Sequence, residues 1–376
     1  MGRNRRNWRV PAAALFCLAF LSLAFQAKTG AAAEPKTKEN LVIGVKIYEA
    51  SGSLPLLFEE WDSLGINTAF VSAALASNPE FRSLAQQHSI AVFIIFPVFF
   101  NAEELEKRPD LFAVTADGEK ASDDWVKFVC PTRKDYRRER IEYAKRLVRD
   151  CDPDGLSLDF IRFFVFWEKV YPERTPGSLP QTCFDPSCLD KFQKEMNISI
   201  PKGLTGPREK ARWILDNHLQ DWTAWKCRVI AGMVRDLSSE ARKIKPGLKI
   251  NVHAVPWRRD DFGGAIKTVA GQDLGQITAY TDFVSPMCYH HMVLRNPAWV
   301  HSVVEDAAVH SRCPVLPSIQ VNEAYIDQSL PVSEFREALA EALKPPSRGV
   351  VFWSWDALVK SPQKKEVVRA LCAREP

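Results

Sequence analysis

The stretch Asp154-Gly-Leu-Ser-Leu-Asp-Phe-Ile-Arg162 decides the predicted fold. Side chains alternate along a β-strand, so if the leucines and Phe160 face surrounding helices, Ser157 and Asp159 face the opposite side. A carboxylate at the end of an apolar strand is costly to bury alone, which favours either a functional site or a buried ion pair with Arg162. We therefore expect Asp159 at the mouth of a closed sheet, where strand-end carboxylates are often catalytic.

Seven further apolar runs resemble this one in length, and helix-like stretches lie between them. The eight predicted strands cover residues 41–48, 66–71, 90–97, 155–160, 248–254, 283–289, 315–320 and 349–355. The clearest predicted helices cover residues 54–64, 80–88, 134–150 and 207–245. Such alternation predicts parallel strands joined by right-handed crossovers, and eight of them close most economically into a barrel.

The predicted fold class is therefore α/β, a single (β/α)8 TIM barrel with long insertions after strands 3 and 4. These insertions cover residues 98–133 and 163–206, on the face where this fold builds its active sites. An open doubly wound sheet is the alternative. It is disfavoured because Tyr48-Glu-Ala-Ser-Gly52 follows the first strand, where such a sheet has a Gly-rich phosphate-binding turn.

The amino-terminal segment is typical of a secretory signal, with a basic start, an apolar run and small residues up to Ala33. We expect residues 1–33 to be a signal peptide and residues 38–376 to form the barrel, in the periplasm or outside the cell. An uncleaved membrane anchor is the alternative, disfavoured because Gln26 and Lys28 shorten the apolar run. No integral membrane association is expected once the signal has been cleaved.

The charge of the mature chain argues against nucleic acid and acidic membrane surfaces as partners. Residues 1–33 contain five basic and no acidic residues, so their removal lowers the formal net charge from +4 to −1. No polybasic surface is therefore expected after maturation. The oligomeric state stays open.

The cysteines are expected to be oxidised in part, because the chain is predicted to be exported. Of nine cysteines, Cys17 leaves with the signal. Only Cys183 and Cys188 are close in sequence within a loop-like setting, so we predict a disulfide between them. The pairing of the others stays open.

Several segments resemble those of uncharacterised glycoside-hydrolase-like (β/α)8 barrels. Asp154–Phe163 is similar to their fourth-strand motif Asp-Gly-x-x-Leu-Asp-Tyr/Phe-Ile-Arg-Phe, Ser285–Tyr289 to their sixth strand and Gly349–Trp355 to their eighth. Cys183–Cys188 is similar to a Cys-rich loop of such proteins, with Asp185 in place of a middle cysteine, a departure that favours a disulfide over a metal knuckle. The resemblance covers most of the mature chain at strand level and implies a carbohydrate substrate or ligand.

A more distant similarity to family 18 chitinase-type barrels fails at the catalytic residue. Those enzymes carry Asp-Gly-x-Asp-x-Asp-x-Glu on the fourth strand and Met-x-Tyr-Asp on the sixth. In this chain the catalytic Glu falls at Ile161, one Asp at Ser157 and the sixth-strand Asp at His290. The matching positions are Asp159, Met287, Tyr289 and Trp353. The similarity therefore implies a mouth shaped for sugars more than a shared reaction.

A glycosidase ordinarily needs two carboxyl groups that flank the scissile bond. Asp159 is the first predicted catalytic residue, and Glu323 after the seventh strand is the favoured partner. Asp356 after the eighth strand and Glu49 after the first are alternatives, and all three are equally explained as helix N-terminal acids or surface charges. The predicted function is hydrolysis of a polysaccharide or oligosaccharide by paired carboxylates. The alternative is a non-catalytic carbohydrate-binding barrel that has lost one acid.

Aromatic and imidazole side chains follow the strands at the same face, and sugar rings stack on such groups. The predicted substrate-binding residues are Tyr48, Glu49, Arg162, His253, Tyr289, His290 and Trp353. No metal site is predicted, because the first strand has no histidine, although His253, His290 and His291 could converge. No cofactor is predicted either, because the chain has no Cys-x-x-x-Cys-x-x-Cys motif and no Gly-rich turn near strands seven or eight.

Overall fold

The computed structural model describes residues 41–373. The predicted signal peptide, residues 1–33, lies outside the described residues, so its cleavage and the export of the chain stay predictions. Within residues 41–373, no helix combines the length and the apolar character needed to cross a membrane.

Eight parallel strands form one sheet. They are Val42–Ile47 (β1), Thr68–Val71 (β2), Ala91–Pro97 (β3), Gly155–Asp159 (β4), Lys249–Ala254 (β5), Phe283–Pro286 (β6), Ser318–Gln320 (β7) and Gly349–Trp353 (β8). The strand order is β6-β5-β4-β3-β2-β1-β8-β7. Parallel bridges from Val284 to Val315 and from Met287 to Ser318 join the two edges. The sheet is thus a nearly closed barrel, and the predicted (β/α)8 fold is confirmed.

Helices surround the barrel, and most of them connect one strand to the next. They are Leu54–Leu64 (α1), Ala73–Ala76 (α2), Pro79–Gln87 (α3), Ala102–Lys107 (α4), Lys134–Cys151 (α5), Pro186–Met196 (α6), Pro207–Asn217 (α7), Leu219–Ile244 (α8), Ala265–Thr268 (α9), Leu274–Ile277 (α10), Ala298–His310 (α11), Val332–Leu343 (α12), Trp355–Leu358 (α13) and Pro362–Cys372 (α14). The region predicted as one helix over residues 207–245 is two. His218 separates them with a non-helical backbone (φ −138°, ψ 29°), and its Nδ1 lies 3.1 Å from Oδ2 of Asp221 in the first turn of α8.

The interior of the barrel confirms the alternation predicted for β4. Phe93 fills the axis beside Gly155, where an added Cβ would lie 2.3 Å from the Phe93 ring. Ser157, two residues further along β4, is fully buried in the same interior, hydrogen-bonded to Asn251 of β5. Residues 155, 157 and 159 therefore share the axial face, because side chains on a strand repeat every second residue.

Two long segments follow β3 and β4 and pack on each other at the carboxyl ends of the strands. The segment after β3 contains α4 and a small antiparallel hairpin that pairs Ser122–Asp123 with Val126–Lys127. The ring of Phe128, just past the hairpin, lies 5.9 Å from that of Phe160 and 5.7 Å from that of Phe164 in the segment after β4. Both segments thus border the barrel mouth.

The predicted disulfide between Cys183 and Cys188 is not present in the structure, where both side chains are thiols. Sγ of Cys183 donates to Oδ2 of Asp185 at 2.9 Å. Sγ of Cys188 lies 3.3 Å from Sγ of Cys130, in the segment after β3. Closeness in sequence was an incomplete guide, because Cys188 also has a sulfur neighbour 58 positions away in the chain.

Candidate active site at the barrel mouth

Asp159 ends β4 at the mouth, with 9% of its surface exposed. Its Oδ1 accepts a hydrogen bond from the backbone N–H of Phe160 at 2.7 Å. Phe160 has φ +49°, an uncommon value for a bulky residue and one that is often found at functional sites. The turn places the Phe160 ring 4.7 Å from that of Phe100. Phe160 therefore does not continue the outward pattern of the strand, which ends at the carboxylate.

The surroundings of Asp159 keep its carboxyl group ionised. Burial raises the pKa of Asp159, but His253, Lys46, Arg162 and the backbone hydrogen bond together hold it below its usual range. Burial lowers the pKa of His253 to about 3, so this imidazole is neutral at pH 7. Burial also lowers the pKa of Lys46, to about 8, against the opposing attraction of Asp159. At neutral pH, Lys46 and Arg162 therefore supply the positive charge around the Asp159 carboxylate.

Glu168 is a second buried carboxyl group near the mouth, and the sequence reasoning missed it. It lies in a short 3-10 turn, Trp167–Lys169, with 9% of its surface exposed. Burial raises its pKa from an ordinary 4.5 to about 7; Arg162 opposes this shift and Asp159 adds to it. Within the described residues, its Oε2 is buried without a hydrogen-bond partner. Near neutral pH, Glu168 can therefore hold a proton and give it up.

Arg162 links the two carboxyl groups electrostatically. Its guanidinium is buried, donates to the backbone oxygen of Val165 at 3.3 Å, and has its central carbon 5.1 Å and 5.0 Å from the ring centroids of Phe128 and Phe160. Burial lowers its pKa while Glu168 and Asp159 raise it, so both carboxyl groups lie within reach of one cation. The loop after β4 thereby brings an acid with a raised pKa and one with a lowered pKa into one site.

A chain of hydrogen bonds crosses the barrel interior and ends at His253. Ser285 Oγ donates to Asn251 Oδ1 at 2.9 Å, and Asn251 Nδ2 donates to Ser157 Oγ at 2.9 Å. Oγ of Ser157 lies 2.8 Å from Nε2 of His253. Nδ1 of the same imidazole is buried with no hydrogen-bond partner among the described residues. The chain of hydrogen bonds thus holds the His253 ring in place through Nε2.

Three of the predicted binding aromatics come together on the other side of Asp159. Tyr289 stacks on Trp353 with centroids 4.6 Å apart and an interplanar angle of 15°, and its hydroxyl accepts from Lys46 Nζ at 3.1 Å. Burial of its hydroxyl group and the charge of Asp159 raise the pKa of Tyr48, although 40% of that residue is exposed. Tyr48 therefore points its hydroxyl inward and leaves ring surface open to a ligand.

Glu323 and Asp356 lie together in a separate cavity of about 380 Å³ beside the ends of β7 and β8. Glu323 is exposed, and its Oε2 accepts from the backbone N–H of Leu330 at 3.4 Å. Backbone hydrogen bonds lower its pKa, which leaves it without the proton that a general acid needs. Asp356 is nearer the mouth, because its charge contributes to raising the pKa of Tyr48. Their catalytic assignments stay predictions, as does a role for the exposed Glu49.

His290 and His291 pack against α12 and away from Asp159. Nε2 of His290 lies 3.0 Å and Nδ1 of His291 lies 2.8 Å from the same Glu334 oxygen. Burial lowers the pKa of His290 to about 4, and the side chain is fully buried. This position suits attachment of α12 to the segment after β6 better than the predicted contact of His290 with a ligand.

Loops that follow β3, β4 and β7 meet at the barrel mouth. Nε1 of Trp125, from the hairpin after β3, donates to the hydroxyl of Tyr325, after β7, at 2.8 Å. The ring of Phe166, after β4, lies 5.8 Å from the Trp125 ring and 5.5 Å from the Tyr325 ring. Trp125 and Tyr325 are each 40% exposed. They present aromatic surface to solvent at the rim of the mouth.

Another cavity lies at the opposite end of the barrel. It has a volume of about 700 Å³ and is bordered by Cys151, Asp154 and Lys245. Asp154 precedes β4, so this cavity is at the amino-terminal ends of the strands. Functional sites in this fold lie at the carboxyl ends of the strands, so we place the candidate site at Asp159.

Solved glycoside hydrolases have the same fold. The glycoside hydrolase domain of PgaB (BpsB) from Bordetella bronchiseptica has a TM-score of 0.67 at 12% identity, over 89% of this chain and 100% of that chain. The β-galactosidase from the psychrophilic Marinomonas ef1 has a TM-score of 0.63 at 9% identity, over 88% of this chain and 59% of its own. The α-L-fucosidase isoenzyme 2 from Paenibacillus thiaminolyticus has a TM-score of 0.54 at 14% identity, over 89% of this chain and 49% of that chain.

These similarities support the (β/α)8 barrel fold of this chain. No family model matches the chain, and no curated protein matches it in sequence. At 9–14% identity, the solved structures carry no residue roles over to this chain. The chemistry of the site must be argued from its own residues.

Proposed function

We propose that this chain is a glycoside hydrolase in which Asp159 and Glu168 act as the catalytic carboxyl pair. The observation that carries the proposal is the separation of their pKa values. Asp159 is held ionised at the end of β4, while burial raises the pKa of Glu168 to about 7. Two carboxyl groups with such opposite environments take the roles of base or nucleophile and of proton donor.

In this mechanism Glu168 protonates the glycosidic oxygen as the bond to the sugar breaks. The Asp159 carboxylate either attacks the anomeric carbon or activates a water molecule. Lys46 and Arg162 keep Asp159 in its charged form. Ile161, which takes the position of the catalytic Glu in family 18 chitinases, is fully buried and apolar. The acid comes instead from the loop after β4.

The substrate class is a polysaccharide or oligosaccharide in the periplasm or outside the cell. Exposed ring surface of Tyr48, Trp125 and Tyr325 at the rim supports binding of sugar rings by stacking. The similarity of the fold to glycoside hydrolase domains supports the same class of ligand. The predicted pairing of Asp159 with Glu323 gives way in this proposal to the pairing with Glu168.

The test compares two substrate types in two variants. In Glu168→Gln we expect kcat on oligosaccharides to fall by about 100- to 10,000-fold, the usual contribution of a general acid. Activity on glycosides with a dinitrophenyl leaving group should be largely retained, because that leaving group departs without protonation. In Asp159→Asn, turnover of both substrate types should be lost.

Two controls make the result specific. Glu173→Gln, an exposed acid in the same loop, should leave both activities unchanged. Glu323→Gln tests the rival partner, and a selective loss on oligosaccharides there instead of in Glu168→Gln would move the acid role to Glu323. Binding of oligosaccharides without turnover by the unmodified chain would reject the enzyme and favour the binding-only alternative.

A further inference from the structure

A second cluster of reactive side chains lies outside the carboxyl pair. The ligand atoms of Cys130, Cys183, Asp185 and Cys188 all lie within 4.8 Å of one another, and all four residues are buried. In a tetrahedral zinc site with Zn–S bonds of about 2.3 Å, the sulfur atoms are about 3.8 Å apart. The cluster thus has the size, the number of donors and the burial of a closed, four-coordinate site.

We infer that Cys130, Cys183, Asp185 and Cys188 bind a structural metal ion of the zinc type. Three sulfur donors select a thiophilic ion over magnesium or calcium, and one carboxylate oxygen completes a tetrahedral set that zinc accepts. This inference is independent of the proposed hydrolase activity. The sequence favoured a disulfide over a metal knuckle because Asp185 stands where a middle cysteine was expected, but the structure places a third sulfur, that of Cys130, in that group.

The backbone around the cluster orients each donor. Asp185 is the N-cap of α6: its Oδ1 accepts from the N–H groups of Ser187 at 2.7 Å and Cys188 at 3.2 Å. That capping role leaves Oδ2 directed at the thiol group of Cys183. The backbone N–H of Val114 donates to Sγ of Cys183 at 3.2 Å. Such outer contacts fix the ligands of metal sites and stabilise negative charge on their sulfur atoms.

The cluster joins the two long segments at the barrel mouth. Cys130 comes from the segment after β3, which carries Trp125, and the other three ligands come from the segment after β4, which carries Glu168. A metal ion there would hold both segments together from within. A disulfide between Cys130 and Cys188, 3.3 Å apart at their sulfur atoms, would join the same segments but leave Cys183 and Asp185 unused. The test must therefore separate a metal from a disulfide.

The first experiment measures metal content. The mature chain is produced with added Zn²⁺, purified without chelators and analysed by elemental mass spectrometry, and we expect one zinc per chain. X-ray absorption at the zinc edge should give three sulfur neighbours at about 2.3 Å and one oxygen at about 2.0 Å. Because this measurement uses the unmodified chain, it holds even if a variant fails to fold.

Two variants and one control assign the ligands. Asp185→Asn preserves the N-cap, because asparagine caps helices as well as aspartate does, but should lower zinc affinity by about 10- to 100-fold. Cys183→Ser should lose the metal. Cys313→Ser removes a partly buried cysteine that lies outside the cluster, 3.5 Å from Thr281 Oγ1, and should retain one zinc per chain.

Three outcomes would overturn the inference. The first is a reduced chain that takes up no zinc. The second is a freshly purified chain in which peptide mapping finds Cys130 linked to Cys188. The third is an equal loss of zinc in Cys313→Ser and Cys183→Ser, which would show that zinc binds to cysteines throughout the chain and not to the cluster.

Discussion

Replacing Glu168 by glutamine should make the protein more stable at neutral pH, even though it removes the proposed catalytic acid. The amide has nearly the shape of the protonated acid and carries no charge at any pH. In the unmodified protein, by contrast, the buried side chain must ionise as the pH rises. The variant should therefore lack the free-energy cost of ionising a buried carboxyl group, which destabilises the unmodified protein.

The size of the effect follows from the pKa of Glu168. Its pKa is about 7 in the folded protein and an ordinary 4.5 when solvated, and each pKa unit corresponds to about 1.4 kcal/mol. Because the pKa is raised in the folded protein, the proton on Glu168 adds to the free energy of unfolding, and this contribution is fully present below pH 4.5. It is lost as the pH rises to about 7, where the unfolded chain has already released its proton. The total loss is about 3 kcal/mol, to the order of magnitude.

The assay is urea unfolding of both proteins, followed by tryptophan fluorescence, in steps from about pH 4 to about pH 8. The free energy of unfolding of Glu168→Gln minus that of the unmodified protein should rise by about 3 kcal/mol across this range. Other titrating groups contribute equally to both proteins and cancel. Glu173→Gln, on the exposed surface of the same loop, should give a difference that stays near zero.

The opposite trend would refute the reasoning. If Glu168 were an ionised partner of Arg162, its pKa in the folded protein would be lowered instead of raised. The glutamine variant would then become less stable than the unmodified protein as the pH rises above about 4. A difference that does not change with pH would show that burial leaves the carboxyl group unperturbed, and the proton-donor assignment would lose its support.

Three further predictions concern the surroundings of the carboxyl pair. Lys46→Met should raise the pKa of Asp159, because a positive charge beside it is lost, and the acidic limb of the kcat/KM profile should move to higher pH. Trp125→Ala should raise KM for oligosaccharides by about fivefold with kcat unchanged, because a stacking ring contributes about 1 kcal/mol. Glu334→Gln should lower the free energy of unfolding by about 1–3 kcal/mol, because it weakens the contacts of two buried histidines, and should leave activity intact. The first prediction is contradicted if the acidic limb does not move in Lys46→Met. The second is contradicted if Trp125→Ala lowers kcat and leaves KM unchanged, and the third if Glu334→Gln loses activity without losing stability.

The strands and the position of Asp159 could be predicted because they depend on local, repeating patterns. An apolar run with period two fixes both the strand and the face of each side chain, and β4 follows this rule up to Asp159. The break at His218 could not be predicted in the same way. It carries no Pro or Gly signal, and its visible partner is the side chain of Asp221 three residues further on.

Glu168 and the cysteine cluster escaped prediction because they depend on contacts between distant segments. Glu168 lies in an irregular loop with no periodicity, and its burial comes from packing of the surrounding aromatic residues. The one available signal was an acid within the aromatic run Phe163–Pro172. Cys130 lies 58 positions from Cys188, so spacing could not reveal their contact. The sequence thus indicated Asp159, whereas Glu168, the other member of the proposed pair, became visible only in the folded structure.

The contact between Trp125 and Tyr325 has a consequence for how a long ligand would reach the barrel mouth. One hydrogen bond contributes about 1 kcal/mol net, and the edge contact of Phe166 with Tyr325 adds about another. At about 2 kcal/mol, roughly one molecule in thirty has this contact broken at any moment, and loops of this kind move within nanoseconds to microseconds. Under the proposed function, the interior of a glycan chain could therefore enter from the side while this contact is open, and no free end would have to pass beneath it.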